Sequence, residues 1–355
     1  MHVNQIPTPA LIVDLNILEQ NQKRMMSLVQ NSGAKLRPHY KSNKCIDIAR
    51  LQLDAGAKGI TCAKLGEAKD LIEAGIEDVL IANQITDKAK IAEVAALAKC
   101  CHLGIAVDSL QNIYDLESAA AFQESTIYCF VEYDIGMKRC GVYTLDDLYI
   151  LAKNISTCKH LVFEGIQAYA GQLSHELSKE IRQNEGEKIE QKLKEAKDFL
   201  EEKGIPVNNI SGCSTASVQD HATLDTVYTE FQAGSYIFMD AAYGELKDLT
   251  FDNSLFVLTS VISKAGGNII MDAGRKSVSM DQKPPILLGY EKYPLKLSEE
   301  HATVSIPSIV AEIGSKMKII PGHCCTCVNL YDAMYFTRGD KVVNKVVITS
   351  RGKSQ

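Results

Sequence analysis

The chain has 355 residues, 46% of them hydrophobic, with 38 Lys and Arg against 44 Asp and Glu for a net charge of −6. That length and apolar content can bury a large core and favour one large domain plus a smaller one over a single compact unit. The acidic balance excludes the basic field that polyanion binding needs, and no Lys and Arg run is interleaved with aromatics, so nucleic acid is not an expected partner. The opening MHVNQIPTPALIVD lacks the charged start and long apolar stretch of a signal peptide. No run approaches the ~20 apolar residues of a membrane span, so a cytoplasmic protein is expected. Eleven cysteines, an odd number scattered from Cys45 to Cys327, fit reduced thiols in a core better than a disulfide framework.

Short β-rich runs alternate with longer helical patterns. A helix is expected over 17–30, then a strand over 36–41, a strand over 59–63, a helix over 65–74, a strand over 78–82 and a helix over 89–98. Strands follow over 103–108, 127–134 and 163–169, a highly charged helix over 181–203, and strands over 209–215 and 231–238. The βα unit therefore repeats as an α/β fold of the (β/α)8 TIM-type barrel requires. A doubly wound sheet can be written from the same pattern, but eight strands favour the barrel. After about Tyr243 the texture changes to short runs with turn signals, at 256–264, 268–273, 303–313, 318–321, 326–330 and 341–349, which read as a second, mostly β C-terminal domain.

In a barrel the chemistry sits at the carboxyl ends of the strands, and a phosphate is often held by the loops after the seventh and eighth. Lys41, in LRPHYK at 36–41, ends the first strand; SGCST at 211–215 follows the seventh, and QAGSY at 232–236 lies at the eighth. Small hydroxyl residues with open backbone N–H groups suit a phosphate, and a lysine with a phosphate cradle points to pyridoxal phosphate. Singly, each is weak: a lone lysine is usually a solvated surface residue, and Gly/Ser/Thr runs are usually turns. Arg139, in DIGMKRCG at 134–141, can be an ordinary loop cation and Tyr169, in GIQAYAG at 165–171, a barrel-wall residue.

His323 and Cys325, in PGHCCT at 321–326, place two metal-ligand types two residues apart. Such a pair alone is more often structural, and structural zinc needs four protein ligands. An extended segment would put His323, Cys325 and Cys327 on one side and Cys324 on the other; Cys324 and Cys327 are expected to pack.

Together these residues resemble the D-threonine aldolase and D-serine dehydratase family, the fold-type III pyridoxal phosphate enzymes with an alanine racemase-like barrel. The resemblance runs nearly end to end: PTPALIVD at 7–14, RPHYK at 37–41, DIGMKRCG at 134–141, GIQAYAG at 165–171, YTEFQAGSY at 228–236 with FMD at 238–240, and PGHCCT at 321–326. It implies that Lys41 carries the pyridoxal phosphate, that Arg139 faces the pyridine nitrogen, that Tyr169 lines the pocket with Gln84 as a weaker candidate, and that Ser214, Thr215, Gly234, Ser235 and Tyr236 hold the phosphate. It implies that His323 and Cys325 bind one divalent metal, zinc or manganese, with magnesium a further option, leaving positions for water and the β-hydroxyl of a small D-3-hydroxy-amino acid. It also implies a homodimer, a barrel over 14–243, and a β domain over 244–355 joined by residues 1–13.

Two departures bear on the reaction. Aldolases of this family usually carry His-x-Asp at the metal and dehydratases His-x-Cys, so Cys325 favours elimination to a 2-oxo acid and ammonia. VNLYD at 328–332 and the runs around Tyr169 and Ser235 look more like the aldolase branch, which cleaves its substrate to glycine and an aldehyde and takes the lead on the number of matching segments. Asn43 stands where the family often has histidine, and His175 is either an extra acid/base or a loop histidine. A racemase on the same barrel would not need the metal pair, and a non-catalytic pyridoxal phosphate carrier would end with the barrel.

Overall fold

The structure, a computed structural model, describes residues 1–223, 225–306 and 311–355. From the amino terminus the chain runs β1 (Ala10–Asp14), α1 (Leu15–Ser32), β2 (Lys35–Leu36), α2 (Ile46–Asp54), β3 (Ile60–Cys62), α3 (Leu65–Glu73), β4 (Asp78–Ile81) and α4 (Lys88–Leu97). It continues through β5 (His102–Val107), α5 (Leu110–Gln123), β6 (Ile127–Glu132), α6 (Leu145–Thr157), β7 (Leu161–Ala168), α7 (Lys179–Glu202), β8 (Asn209–Gly212), α8 (Val218–His221) and β9 (Glu230–Phe231). Two compact bodies result, one of Met26–Lys41, Ala49–Gly234 and Lys353–Gln355, the other of Met1–Met25, Ser42–Ile48 and Ser235–Gly352.

The first body is the expected barrel. Its eight strands pair in parallel in the order β2-β9-β8-β7-β6-β5-β4-β3. A parallel bridge between His39 and Thr61, with hydrogen bonds from Lys58 N to Leu36 O at 2.8 Å and from Thr61 N to Pro38 O at 3.0 Å, joins the first strand to the second and closes the ring. Parallel strands covered on both faces read as continuous apolar runs, and Ile105, Ala106 and Val107 of β5 are wholly buried in sequence. Helix starts are set locally: Asp87, Ser109, Thr144 and Ser178 each accept the backbone N–H three residues on, satisfying a donor that the first helical turn leaves unpaired.

Two expected strands shrink to two residues each, and the strand expected over 209–215 ends at Gly212. The strand over 36–41 stops at Leu36, because Pro38 has no N–H to give the ladder, and Lys41 falls in a 3-10 turn, Tyr40–Ser42. The strand over 231–238 is reduced to Glu230–Phe231, and Ser235–Ile237 form another 3-10 turn.

The second body holds β10 (Leu255–Ala265), β11 (Asn268–Met271), β12 (Ile286–Leu287), β13 (Lys296–Leu297), β14 (Ala302–Ser305), β15 (Lys316–Ile320), α9 (Cys324–Val328), β16 (Ala333–Arg338) and β17 (Lys341–Val347). The N-terminal β1 runs inside this sheet, antiparallel to β10 and parallel to β16, and its Leu11, Ile12 and Val13 are buried. The sheet order is β13-β14-β11-β10-β1-β16-β17, with β15 on β10 and β12 on β15. Of the strand expected over 303–313, β14 covers the start, and residues 307–310 lie outside the described residues.

The expected strand over 326–330 is overturned: 324–328 is the short helix α9. The buried Asp240 carboxylate accepts the Cys324 N–H at 2.8 Å at its first turn, and Cys327 N closes back on His323 O at 3.2 Å. Cys324 and Cys327 do pack in the interior, but as helical i, i+3 neighbours and not by strand alternation. Among the described residues no helix is long and apolar enough to cross a membrane.

Candidate functional site

The barrel body opens a cavity of about 210 Å³ at the carboxyl ends of its strands, lined among others by His39, Lys41, Arg139, Gln167, Tyr169 and Gln232. Lys41 Nζ stands 5.3 Å from the centroid of the Tyr169 ring and the Arg139 guanidinium carbon 5.7 Å from it, so one aromatic ring gathers both cations. Tyr169 is held by its hydroxyl, 3.3 Å from Ser174 Oγ. The loop bearing Arg139 is shaped by Asp134, whose carboxylate accepts from Gly136 N at 2.9 Å and Lys138 N at 2.6 Å. Behind Arg139, 4.0 Å from Nη2, lies Glu132, whose pKa burial raises against the bond from Gln84 Nε2 at 2.5 Å. Gln84 itself lines an adjoining cavity with Asn83, and Asn83 is the residue of the two that reaches the Lys41 cavity.

In the same cavity, Gln167 and Gln232 exchange amide hydrogen bonds at 3.2 and 2.7 Å, and Gln232 Nε2 also donates to Ser211 Oγ at 2.8 Å. No motif marks either glutamine, although Gln167 stands two residues before Tyr169, the spacing by which strand periodicity puts side chains on one face. His39 was also passed over; its Nδ1 accepts from Lys41 N at 3.4 Å.

Ser214 and Thr215 lie buried after β8, where Ser217 Oγ bonds both the N–H and the hydroxyl of Ser214, each at 3.2 Å. A Cβ at Gly212 would run into the Ala168 carbonyl oxygen and the Tyr228 ring, so only glycine lets β8 and β7 approach at this loop. A lysine, an arginine and an aromatic ring at one cavity fit a phosphorylated pyridine aldehyde, and the buried hydroxyls of Ser214 and Thr215 are of the type that suits its phosphate. A groove of about 500 Å³ along α7 and α8 offers no such set.

In the second body, His323 and Cys325 flank the start of α9. Cys325 Sγ lies 3.6 Å from Ser42 Oγ and 3.8 Å from Ser235 Oγ, while His323 Nδ1 is 2.7 Å from Asp281 Oδ2. Burial pulls the His323 pKa down, but Cys325 and Asp281 beside it prevail and hold it at about 9. Among the described residues no group of three or more His, Cys, Asp or Glu side chains is placed around a metal position. An imidazole and a thiol two residues apart, with no third protein ligand among the described residues, fit a cation whose remaining positions go to water and substrate. Ser235 thus sits beside Cys325, and Tyr236 is fully buried near Phe251, with ring centroids 5.7 Å apart. Gly234 ends the Ala49–Gly234 stretch of the barrel body. Asn43 is buried and its Oδ1 accepts from Cys45 N at 3.0 Å, whereas His175 is exposed. Asp281 carried no signal in the sequence, because a turn-rich segment 42 residues from His323 gives no periodicity to read.

Comparison with known proteins agrees along the whole chain. The model of the alanine racemase N-terminal domain matches residues 13–242, and that of a putative serine dehydratase domain matches 254–337. The chain is 36% identical over 366 residues to a 3-hydroxy-D-aspartate aldolase of Paracoccus denitrificans, covering 99% of this chain and 94% of that protein. It is 28% identical over 350 residues to a D-threo-3-hydroxyaspartate dehydratase of a Delftia species, covering 90% and 91%. The crystal structure of D-threonine aldolase from Filomicrobium marinum superposes with a TM-score of 0.96 at 31% identity, covering 99% and 98%.

Proposed function

The chain belongs to the D-threonine aldolase and D-serine dehydratase family of alanine racemase-like, pyridoxal phosphate-dependent lyases, and from that membership we propose that it cleaves D-3-hydroxy-amino acids to glycine and an aldehyde with the help of a divalent metal. The observation that carries the reading is the 36% identity, over 99% of the chain, to an enzyme named for this aldol cleavage, against 28% to one named for dehydration.

Pyridoxal phosphate supplies an electron sink for the pair released at the substrate's Cα, and the divalent metal supplies positive charge at the β-hydroxyl. Lys41 is assigned the covalent hold on the cofactor, with its Nζ kept over the Tyr169 ring. Arg139 is assigned to the pyridine nitrogen, where a fixed cation disfavours a second positive charge. Ser214, Thr215, Gly234, Ser235 and Tyr236 are assigned to the phosphate. His323 and Cys325 hold the metal, and a thiolate ligand suits zinc better than manganese or magnesium. In the net reaction the β-hydroxyl proton leaves, the Cα–Cβ bond breaks to give the carbonyl, and Cα gains a proton to become glycine. A homodimer of this lyase is part of the proposal on the resemblance alone.

Cys325 in place of the aldolases' usual aspartate favours a second reading, elimination of the β-hydroxyl to a 2-oxo acid and ammonia. Product analysis separates the two. With purified protein, pyridoxal phosphate and zinc or manganese, D-threonine or D-threo-3-hydroxyaspartate should give glycine plus an aldehyde; a 2-oxo acid with ammonia would make it a dehydratase.

A further inference from the structure

We infer that Asp281 is the positioning residue of the metal site: its carboxylate accepts a hydrogen bond from His323 Nδ1–H and thereby presents Nε2 as the ligand nitrogen. The inference rests on the proposed role of His323 as a ligand and goes beyond it, since it fixes which nitrogen binds and what orients the ring.

The carboxylate and imidazole meet at 2.7 Å, and the other carboxylate oxygen accepts the Thr326 hydroxyl at 2.6 Å, so both oxygens of Asp281 are committed. Thr326 belongs to α9, the helix that His323 precedes. The backbone is fixed from the same loop: Ser279 Oγ donates to His323 O at 2.6 Å and accepts from His323 N at 3.2 Å, and Gly322 N donates to Ser279 O at 3.0 Å. A Cβ at Gly322 would collide with the carbonyl oxygens of Lys283 and Ser279, so the two segments approach as closely as glycine allows. Ser279, Asp281 and Lys283 therefore grip residues 322–326 along their length. An exposed Asp–His pair would contribute little to stability, and Asp281 is 45% exposed. Its value lies in direction. A neutral imidazole that donates at Nδ1 has its lone pair at Nε2, and a carboxylate on the far nitrogen fixes the tautomer and raises ligand basicity.

The test is zinc affinity of the pyridoxal phosphate-loaded protein after removal of metal by chelator, measured by competition with a fluorescent zinc indicator. Asp281→Ala should bind zinc about 10- to 100-fold more weakly. Asp281→Asn, whose amide oxygen still accepts from Nδ1, should lose less. Cofactor absorbance and the melting temperature of the metal-free protein should match wild type in both, which a merely structural role for Asp281 would not give. Zinc affinity of Asp281→Ala within twofold of wild type, with His323→Ala binding none, overturns the inference and leaves the metal reading standing. Unchanged affinity in His323→Ala overturns both. Should Asp281→Ala fail to fold, Thr326→Val reads the same geometry: a several-fold loss supports it, and none overturns it.

Discussion

Arg37 and Glu230 are each 1% exposed and meet through two hydrogen bonds, Nε to Oε2 at 2.9 Å and Nη2 to Oε1 at 3.1 Å. Asp78 receives the rest of the guanidinium, at 2.5 Å from Nη1 and 3.1 Å from Nη2, and Lys58 also pairs with Glu230. Glu230 and Asp78 begin β9 and β4, so the cluster plugs the amino-terminal end of the barrel, away from the lysine cavity at the carboxyl ends.

Burial raises the carboxyl pKa values there, but the charged partners outweigh it: His102 and Arg37 bring Asp78 down to about 2, and Arg37 and Lys58 hold Glu230 below its ordinary value. Depressed folded-state values mean that this stabilisation is complete above the ordinary carboxylate range and is lost as the pH falls through it towards about 2. Arg37→Met should therefore cost about 3–5 kcal/mol at neutral pH by removing the main partner of the buried Glu230 carboxylate and of half-buried Asp78. The deficit should shrink at about pH 4, where stranded carboxyls protonate. Urea unfolding at the two pH values checks this, and a deficit that does not depend on pH would contradict it.

Lys41→Ala should abolish the visible absorption of bound pyridoxal phosphate and lower turnover on the order of 10³-fold or more, as loss of a covalent catalyst does. An unchanged spectrum would remove the cofactor assignment.

Chelator treatment should stop turnover while leaving the cofactor spectrum intact, and zinc or manganese should restore it, because the proposed metal ligands and the proposed cofactor lysine are different residues. Full activity in excess chelator sinks the metal role.

Cys325→Asp should raise aldol cleavage relative to elimination and move the metal preference from zinc towards manganese or magnesium, since a carboxylate is the harder ligand. The product ratio after reconstitution with each metal reads both effects; if neither moves, the ligand does not help choose the bond.

Gly212→Ala should destabilise the fold by about 1–3 kcal/mol or more, because the new Cβ meets the Ala168 backbone and not a side-chain end that can swing away. Thermal unfolding with and without pyridoxal phosphate would show whether cofactor retention falls with it.

The barrel was legible because its signal is local. Parallel strands buried on both faces give apolar runs at βα spacing, and several helices carry their own caps, as Ser109 and Thr144 do. Where a terminus or turn depends on partners distant in sequence, the pattern misleads. Apolar content over 231–238 suggests one strand, but only Phe231 of it is in a strand and Ser235–Ile237 form a 3-10 turn, and 326–330 reads as extended although Asp240, more than 80 residues earlier, caps a helix there. The strand Ala333–Arg338 was also missed; its partners are β1 and β17, one from each end of the chain.

The sequence by itself determined the βα repeat, the residue types that suit cofactor and metal, and, through ordered motifs, the family. Only the tertiary structure decided which of these residues share a surface. It brought Lys41, Arg139 and Tyr169 to one cavity, tied Gln84 to Glu132, placed the bonded Gln167–Gln232 pair in the lysine's cavity, and set Asp281 against His323. The reason is physical: hydrophobic periodicity reports a residue's own environment, whereas a hydrogen bond between side chains tens of residues apart exists only after the backbone has closed between them.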